Sequence, residues 1–397
     1  MASRSCFSKF TDEKFLKSVP MELFKQLLEP LNGELGLDMD SLTPESVKEL
    51  FLKADDTMPE QLLGDMHLIS KMATDTGMHV IVTHGQSKGI VFERPDAEEG
   101  EDPTEKIDPK WLSLYCFLNH RDIFNLAQQE RIYERQSSFD EYTGKSEGMI
   151  DVTTQAITDL QDLLGNYFME EYQGELCRIT PFEEDGEQKF LIKHGLFWKV
   201  DINIKENEES THSWRPLVMS VAEYDPGRGI LRIKAKKDKD RDEIAKVFGT
   251  VFFEKEDHFE SGETVTLEPL LDPEYSYDCT WDSTRVESVT ITELQIMRNA
   301  ERNSHIILKS RNVLDDLKEL KDLDRSLLSK DNLIYAKILF RFTNKKSKFK
   351  SVRIKPKNKI VMSRSSHVAT VYEHLEKMGI LINETNPGQP DADGTDS

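Results

Sequence analysis

The feature that most constrains the fold is a change in the hydrophobic period near Gly174. Before this residue, apolar positions recur every three or four residues, as on one face of an α-helix, and residues 15–28 are an example. After it, short runs alternate between apolar and polar residues, as half-buried strands do, for example at 230–235. The pattern predicts an α+β fold: a helical N-terminal region followed by two related hairpin-rich sheet-and-helix units.

The N-terminal half divides into two helical regions. Helical spacing is found in residues 12–30, 43–51, 58–77, 111–135 and 154–172. Residues 96–108 hold seven acids and one lysine, so this stretch repels itself and cannot bury apolar surface. We therefore expect helical regions at 1–95 and 111–175, separated by an acidic linker at 96–110.

The second half has a plan that occurs twice. The first β-hairpin/helix unit, residues 176–272, has predicted hairpins at 177–193 and 217–235 and a helix at 240–253. The second unit, residues 273–382, has hairpins at 286–309 and 333–361 and helices at 313–323 and 365–378. The repetition is one of pattern and not of residue identity. Residues 383–397, rich in Gly, Pro, Asp and Asn, are expected to form a disordered tail.

Charge is distributed unevenly along the chain. The 397 residues include 73 acidic and 52 basic side chains, for a formal net charge of −21. Residues 333–382 reverse this balance with twelve Lys and Arg against two Glu, which is +10 here and −31 elsewhere. Strand alternation places Lys337 and Arg341 opposite Ile338 and Phe340. The sequence thus predicts a hairpin with one apolar face and one basic face.

The basic residues of this hairpin, and the first one after it, are the predicted binding site. They are Lys345, Lys346, Lys348, Lys350, Arg353, Lys355, Lys357, Lys359 and Arg364. Such a surface binds phosphate backbones by counterion release, mostly without sequence preference. It also fits an acidic patch on a protein partner or on the chain itself, so nucleic acid and protein both remain open as partners. The acidic remainder would repel nucleic acid and limit contact to this face.

Local sequence gives little indication of catalysis. Thr143-Gly144-Lys145-Ser146 matches the end of a phosphate-binding loop, but Phe139 stands where that motif needs its first glycine. His367 and His374 lie seven residues apart on a predicted helix, whereas zinc needs closer pairs and further ligands. We expect both to be histidines of the helix surface, and we predict no catalytic residue, metal or cofactor.

A metal-dependent nuclease is the alternative with the most concrete pattern. Glu187-Gln188-Lys189 has the local form of a strand that holds Mg²⁺ through carboxylates. The nearest further acid, Asp185, lies in the predicted turn beside it and not at a separate strand end. The sequence therefore favours a solvated turn over a cleavage site.

Cysteine usage and hydropathy indicate a cytoplasmic protein. The four cysteines are scattered without a CxxC pair, as expected for reduced thiols. No stretch approaches the roughly 18 apolar residues of a membrane helix, and residues 1–10 lack the apolar segment of a secretory signal. We expect no membrane partner, and the sequence leaves the oligomeric state open.

Several short segments resemble a group of bacterial proteins of similar length that has no assigned chemistry. They are Cys177-Arg178-Ile179, Trp214-Arg215-Pro216, Tyr224-Asp225-Pro226-Gly227, Val247-Phe248, and the stretches 352–358 and 375–380. The resemblance implies an α+β fold and a bacterial cytosolic setting, and it supplies no catalytic residue. With the basic hairpin, it indicates a non-enzymatic interaction module in a bacterial multi-protein system, antiviral defence being one such setting. A purely structural assembly subunit is the remaining alternative.

Overall fold

The structure is a computed structural model. It describes residues 3–52, 58–94, 102, 104–184, 186–205, 208–272, 274–319, 327–344, 349–364 and 366–382. The chain divides into an N-terminal body, residues 1–133 with 204–210, and a C-terminal body, residues 134–203 with 211–397. Lys345, Lys346, Lys348, residues 96–101 and 103 of the predicted linker, and the predicted tail 383–397 lie outside the described residues.

The N-terminal body is built from helices, as the apolar spacing predicts. They are α1 (Ser3–Ser8), α2 (Glu13–Ser18), α3 (Met21–Leu28), α4 (Asn32–Leu35), α5 (Pro44–Leu52), α6 (Glu60–Met72), α7 (Asp75–Ser87), α8 (Pro109–Asn119) and α9 (Arg121–Glu134). Their apolar faces meet in one core that includes Phe7, Phe24 and Leu112. The predicted helix at 58–77 is divided into two helices. Thr74 caps the second one, because its hydroxyl accepts a hydrogen bond from the Gly77 amide.

The described part of the C-terminal body carries four further helices and the strands, except that residues 204–210, at the ends of two strands, belong to the N-terminal body. The helices are α10 (Thr154–Glu170), α11 (Asp238–Phe253), α12 (Val313–Glu319) and α13 (Val368–Lys377). The strands are β1 (Ser138–Gly144), β2 (Cys177–Glu184), β3 (Glu187–Gly195), β4 (Lys199–Lys205), β5 (Glu208–Trp214), β6 (Leu217–Asp225), β7 (Ile230–Lys234), β8 (Phe259–Glu260), β9 (Val286–Asn299), β10 (Ser304–Lys309), β11 (Leu333–Phe342), β12 (Phe349–Lys355) and β13 (Lys359–Val361). The α+β class is confirmed.

One antiparallel sheet joins the two predicted hairpin units. Its order is β10-β9-β11-β12-β13-β1-β7-β6-β3-β2, with β8 also paired to β1, whereas β4 and β5 form a separate ribbon. β1 links the halves because it pairs with β13 on one side and β7 on the other. β1 was not predicted: it lies between the helical spacings at 111–135 and 154–172, within the region 111–175. The halves also differ in topology, since β2, β3, β6 and β7 pair in chain order but β9 lies between β10 and β11.

Helices cover opposite faces of the two halves of this sheet. On the β7 half, Tyr142 and Leu231 pack under α10 and α11. On the β11–β13 half, Ile338 and Ile354 lie on the other face and pack under α13. Asp140 pairs with Lys359, and Lys359 pairs with Lys355, so these three side chains point to the same side of the sheet. Tyr142 lies two residues after Asp140 on β1 and therefore points to that side as well. Among the described helices of this body, none packs on the side of β11–β13 that faces away from α13, and we call this the open side.

Candidate functional site

The open side of β11–β13 carries a two-dimensional array of cations, which we name the basic sheet face. It is formed by Lys337, Arg341, Arg353, Lys355 and Lys359. Lys337 lies directly across from Arg353, and Lys355 lies across from Lys359. Such neighbours are about 5 Å apart across the strands and about 7 Å apart along them, so Lys337, Arg353, Lys355 and Lys359 form one group of cations. Arg341 lies four residues from Lys337, beyond the pair formed by Leu339 and Ser351.

The predicted binding residues are only partly brought together. Arg353 and Lys355 are exposed on the basic sheet face, and Lys357 is exposed in the turn after β12. Lys359 is half-buried and lies 3.0 Å from Asp140, which also accepts from Arg241 at 2.8 Å. The charge of Lys359 is therefore partly neutralised by a carboxylate of the same chain.

Lys350 does not belong to the basic sheet face, contrary to the sequence prediction. It is buried on the α13 side, where its ammonium donates to the carbonyl of Ser366 at 2.5 Å. Burial and, to a smaller extent, the positive charge of Arg364 lower the pKa of Lys350 to about 8, with Glu134 opposing the shift. The sequence did contain the signal, because Lys350 has the same strand parity as the buried Val352 and Ile354.

Arg364 is also placed differently from the prediction. It is only 4% exposed, and its guanidinium carbon lies 4.1 Å from the ring centroid of Phe139. Its NH1 group donates to the Tyr372 hydroxyl at 3.3 Å. Arg364 is thus a buried structural cation and not a surface contact.

Two aromatic residues that the sequence analysis did not select lie on the basic sheet face. Phe349 is 53% exposed, and the guanidinium carbon of Arg341 lies 5.1 Å from its ring centroid. Tyr335 is partly buried and has the parity of Lys337 on β11. Both could have been found by extending the alternation that placed Lys337 and Arg341.

The carboxylates around this face neutralise it only in part. Glu287 and Arg341 form an exposed ion pair at 3.5 Å. Glu293 lies on the strand position opposite Lys337, but its carboxylate pairs with Lys309 at 3.4 Å. Exposed pairs of this kind contribute about 0–1 kcal/mol each. In the described part of the chain, no ion pair joins Arg353, Lys355 or Lys357 to a carboxylate. The face therefore keeps a net positive charge.

A second concentration of charge is buried inside the sheet around Arg232. Its guanidinium contacts carboxylates of Glu141 (3.0 Å), Glu187 (2.8 Å), Glu223 (2.8 Å) and Asp225 (3.1 Å). Arg232, Glu141 and Glu223 are at most 1% exposed. Burial raises the pKa of Glu187 to about 7, although the charge of Arg232 opposes the rise.

This buried cluster bears on the nuclease alternative. The carboxylate of Glu187 and the ammonium of Lys189 are 3.8 Å apart, but the guanidinium of Arg232 fills the space among the acids. Across the described ranges, no group of three or more His, Cys, Asp and Glu side chains is placed to hold a metal ion. The carboxylates of this cluster are thus bound to a guanidinium of the same chain.

The loop with the partial phosphate-binding motif follows β1 and has no helix directly after it. Its Lys145 lies 2.6 Å from Asp257 and 3.1 Å from Glu260, so its charge is already paired. The next helix begins only at Thr154. The loop lacks the strand-to-helix geometry that cradles phosphates.

His374 corrects the expectation of a surface histidine. It is fully buried, with its Nε2 3.0 Å from an oxygen of Asp282 and its Nδ1 2.8 Å from the Tyr277 hydroxyl. His367 stands at the start of α13 and stacks on Phe342, with ring centroids 4.1 Å apart. Both rings therefore help to fix α13 in place.

Comparison with known proteins identifies no family. No family model matches the chain, and no curated protein matches its sequence. The resemblance to a bacterial group therefore stays a prediction. Among the helices of the described residues, none combines the length and apolar character needed to span a bilayer.

Proposed function

We propose that this protein is a non-catalytic interaction module that binds nucleic acid through the basic sheet face. The observation that carries the proposal is the open array of Lys337, Arg341, Arg353 and Lys355 on an otherwise acidic chain. A flat array of cations neutralises successive phosphates and releases their counterions, which is the main source of sequence-independent affinity.

The charge of the rest of the chain supports the same orientation. Residues outside 333–382 carry a formal −31, which repels a polyanion from other surfaces. A polyanion is then attracted mainly to the basic sheet face. This attraction raises the association rate as well as the affinity. An acidic protein partner would use the same cations, so it is the competing outcome of the test.

Reversing the charge of Arg353 and Lys355 together should weaken binding by at least about tenfold at roughly 50 mM salt. Both side chains are exposed, so the change removes their interactions with phosphates without disturbing the core. Fluorescence anisotropy with labelled single- and double-stranded oligonucleotides measures the affinity. The slope of log affinity against log salt should become shallower by about 0.7–0.9 for each phosphate that the variant no longer neutralises.

The matched control is the double variant Lys255→Glu and Lys318→Glu. It makes the same change in net charge at exposed positions that follow α11 and lie on α12, away from the basic sheet face. Its affinity should stay within about threefold of the parent, because long-range repulsion is largely screened. Equal losses in both variants would contradict the proposal. Absence of parent binding to DNA and RNA at low salt would also contradict it, and would favour an acidic protein partner.

Lys350→Met should leave nucleic-acid affinity within about twofold of the parent, since the ammonium does not reach the basic sheet face. Methionine fits the stem volume and removes a buried charge, so we expect no loss of unfolding free energy beyond about 1 kcal/mol. Anisotropy and urea unfolding check the two expectations. A large loss of affinity in a folded variant would instead show that Lys350 contributes to nucleic-acid binding.

A further inference from the structure

The basic sheet face combines its cations with two aromatic side chains. Phe349 lies directly across from Arg341, and Tyr335 lies six residues before Arg341 on the same strand. At about 3.4 Å per residue, the two rings are separated by roughly 20 Å along the sheet. Between them, Lys337 and Arg353 form a cross-strand pair of cations.

We propose that the ligand of the basic sheet face is single-stranded nucleic acid, whose bases stack on Phe349 and Tyr335 while its phosphates contact the cations between the rings. This inference rests on the proposed function and names its substrate class. In a duplex the bases are stacked on one another and their faces are not accessible, so aromatic side chains favour single strands.

The surroundings of each ring fit this role. Phe349 is more than half exposed, and the adjacent guanidinium of Arg341 offers a second flat surface on which a base can stack. Tyr335 lies two residues before Lys337, the cross-strand partner of Arg353, so its ring is on the same face of the sheet as both cations. The ring therefore stands beside a cation that would hold a phosphate.

A pure charge patch would not need these aromatics. Exposed phenylalanine on an open sheet face loses the benefit of burial, and solvated strands usually carry polar residues there. On the same strand, Ser351 and Arg353 follow that rule, whereas Phe349 departs from it. A stacking role explains the departure in a way that phosphate binding alone does not.

The test compares two double variants of the full chain. Tyr335→Leu with Phe349→Leu keeps apolar volume but removes both rings, whereas Tyr335→Phe with Phe349→Tyr keeps them. Affinity is measured by anisotropy for an oligothymidylate of about 16 nucleotides, the upper end of site sizes for one module, and for a duplex of equal length. The parent should prefer the single strand.

Removal of both rings should weaken single-strand binding on the order of tenfold or more, while duplex affinity and the salt slope stay unchanged. The ring-preserving variant should bind as the parent does. Equal single-strand affinity in the leucine variant, or equal parent affinity for both probes, would overturn the inference while leaving the proposed function intact. Failure of the parent to bind either probe would instead refute the proposed function.

Discussion

Replacing Arg232 by methionine will lower the unfolding free energy by about 3–5 kcal/mol, the usual result of removing one partner from a buried ion pair. The side chain is 1% exposed and is the common partner of four carboxylates. Methionine leaves Glu141 and Glu223 fully buried without their cation, and the neighbouring Arg364 approaches Glu223 less closely, at 3.7 Å. The loss exceeds that of an ordinary surface substitution because a charge is left uncompensated.

The matched control is Arg353→Met, the same substitution at an exposed position of the same sheet. It should change the unfolding free energy by no more than about 0.5 kcal/mol. Urea unfolding followed by tryptophan fluorescence measures both variants, since Trp198, Trp214 and Trp281 report on the C-terminal body. If the two variants have the same stability, Arg232 does not hold this sheet together.

The half-buried strands and the amphipathic helices were predictable because their pattern is local. The alternation in β11 and β12 gives the basic and apolar faces directly, and Thr43-Pro44 marks the start of α5. The basic sheet face was therefore within reach of the sequence. Phe349 and Tyr335 were not predicted because the charge pattern does not mark aromatic residues, even when they have the same strand parity as the cations.

β1 could not be predicted in the same way because both of its faces are covered. Its central residues are the adjacent acids Asp140 and Glu141, and both are buried. Their burial depends on distant cations: Arg232 lies 91 residues from Glu141 along the chain, and Arg241 and Lys359 pair with Asp140. A single sequence does not show such partners, so the segment looks like a polar loop. The burial of Arg364 was not predicted for the same reason, since its contacts with Tyr372 and Glu223 exist only in the folded sheet.

The Arg232 cluster also has a consequence for pH. Glu187 has its pKa raised from 4.5 to about 7, first by burial and then by the nearby charge of Glu223, with Arg232 opposing. Below pH 4.5 the carboxyl is protonated in both states, so its ionisation does not reduce stability there. As the pH rises toward 7, the unfolded chain loses its proton while the folded protein retains it. Stability from this residue is therefore fully present in acid and is lost as the pH rises through 7.

Glu187→Gln should remove this dependence because glutamine still accepts from Arg232 but does not ionise. At about 1.4 kcal/mol per pKa unit, the unfolding free energy of the variant relative to the parent should rise by about 3 kcal/mol between pH 4.5 and pH 8. Urea unfolding across that range measures the difference. Glu183→Gln, an exposed carboxylate in the same hairpin, should change the difference by less than about 0.5 kcal/mol. A difference independent of pH in the Glu187 variant would mean that this carboxyl is ionised throughout, so that Arg232 outweighs the cost of its burial.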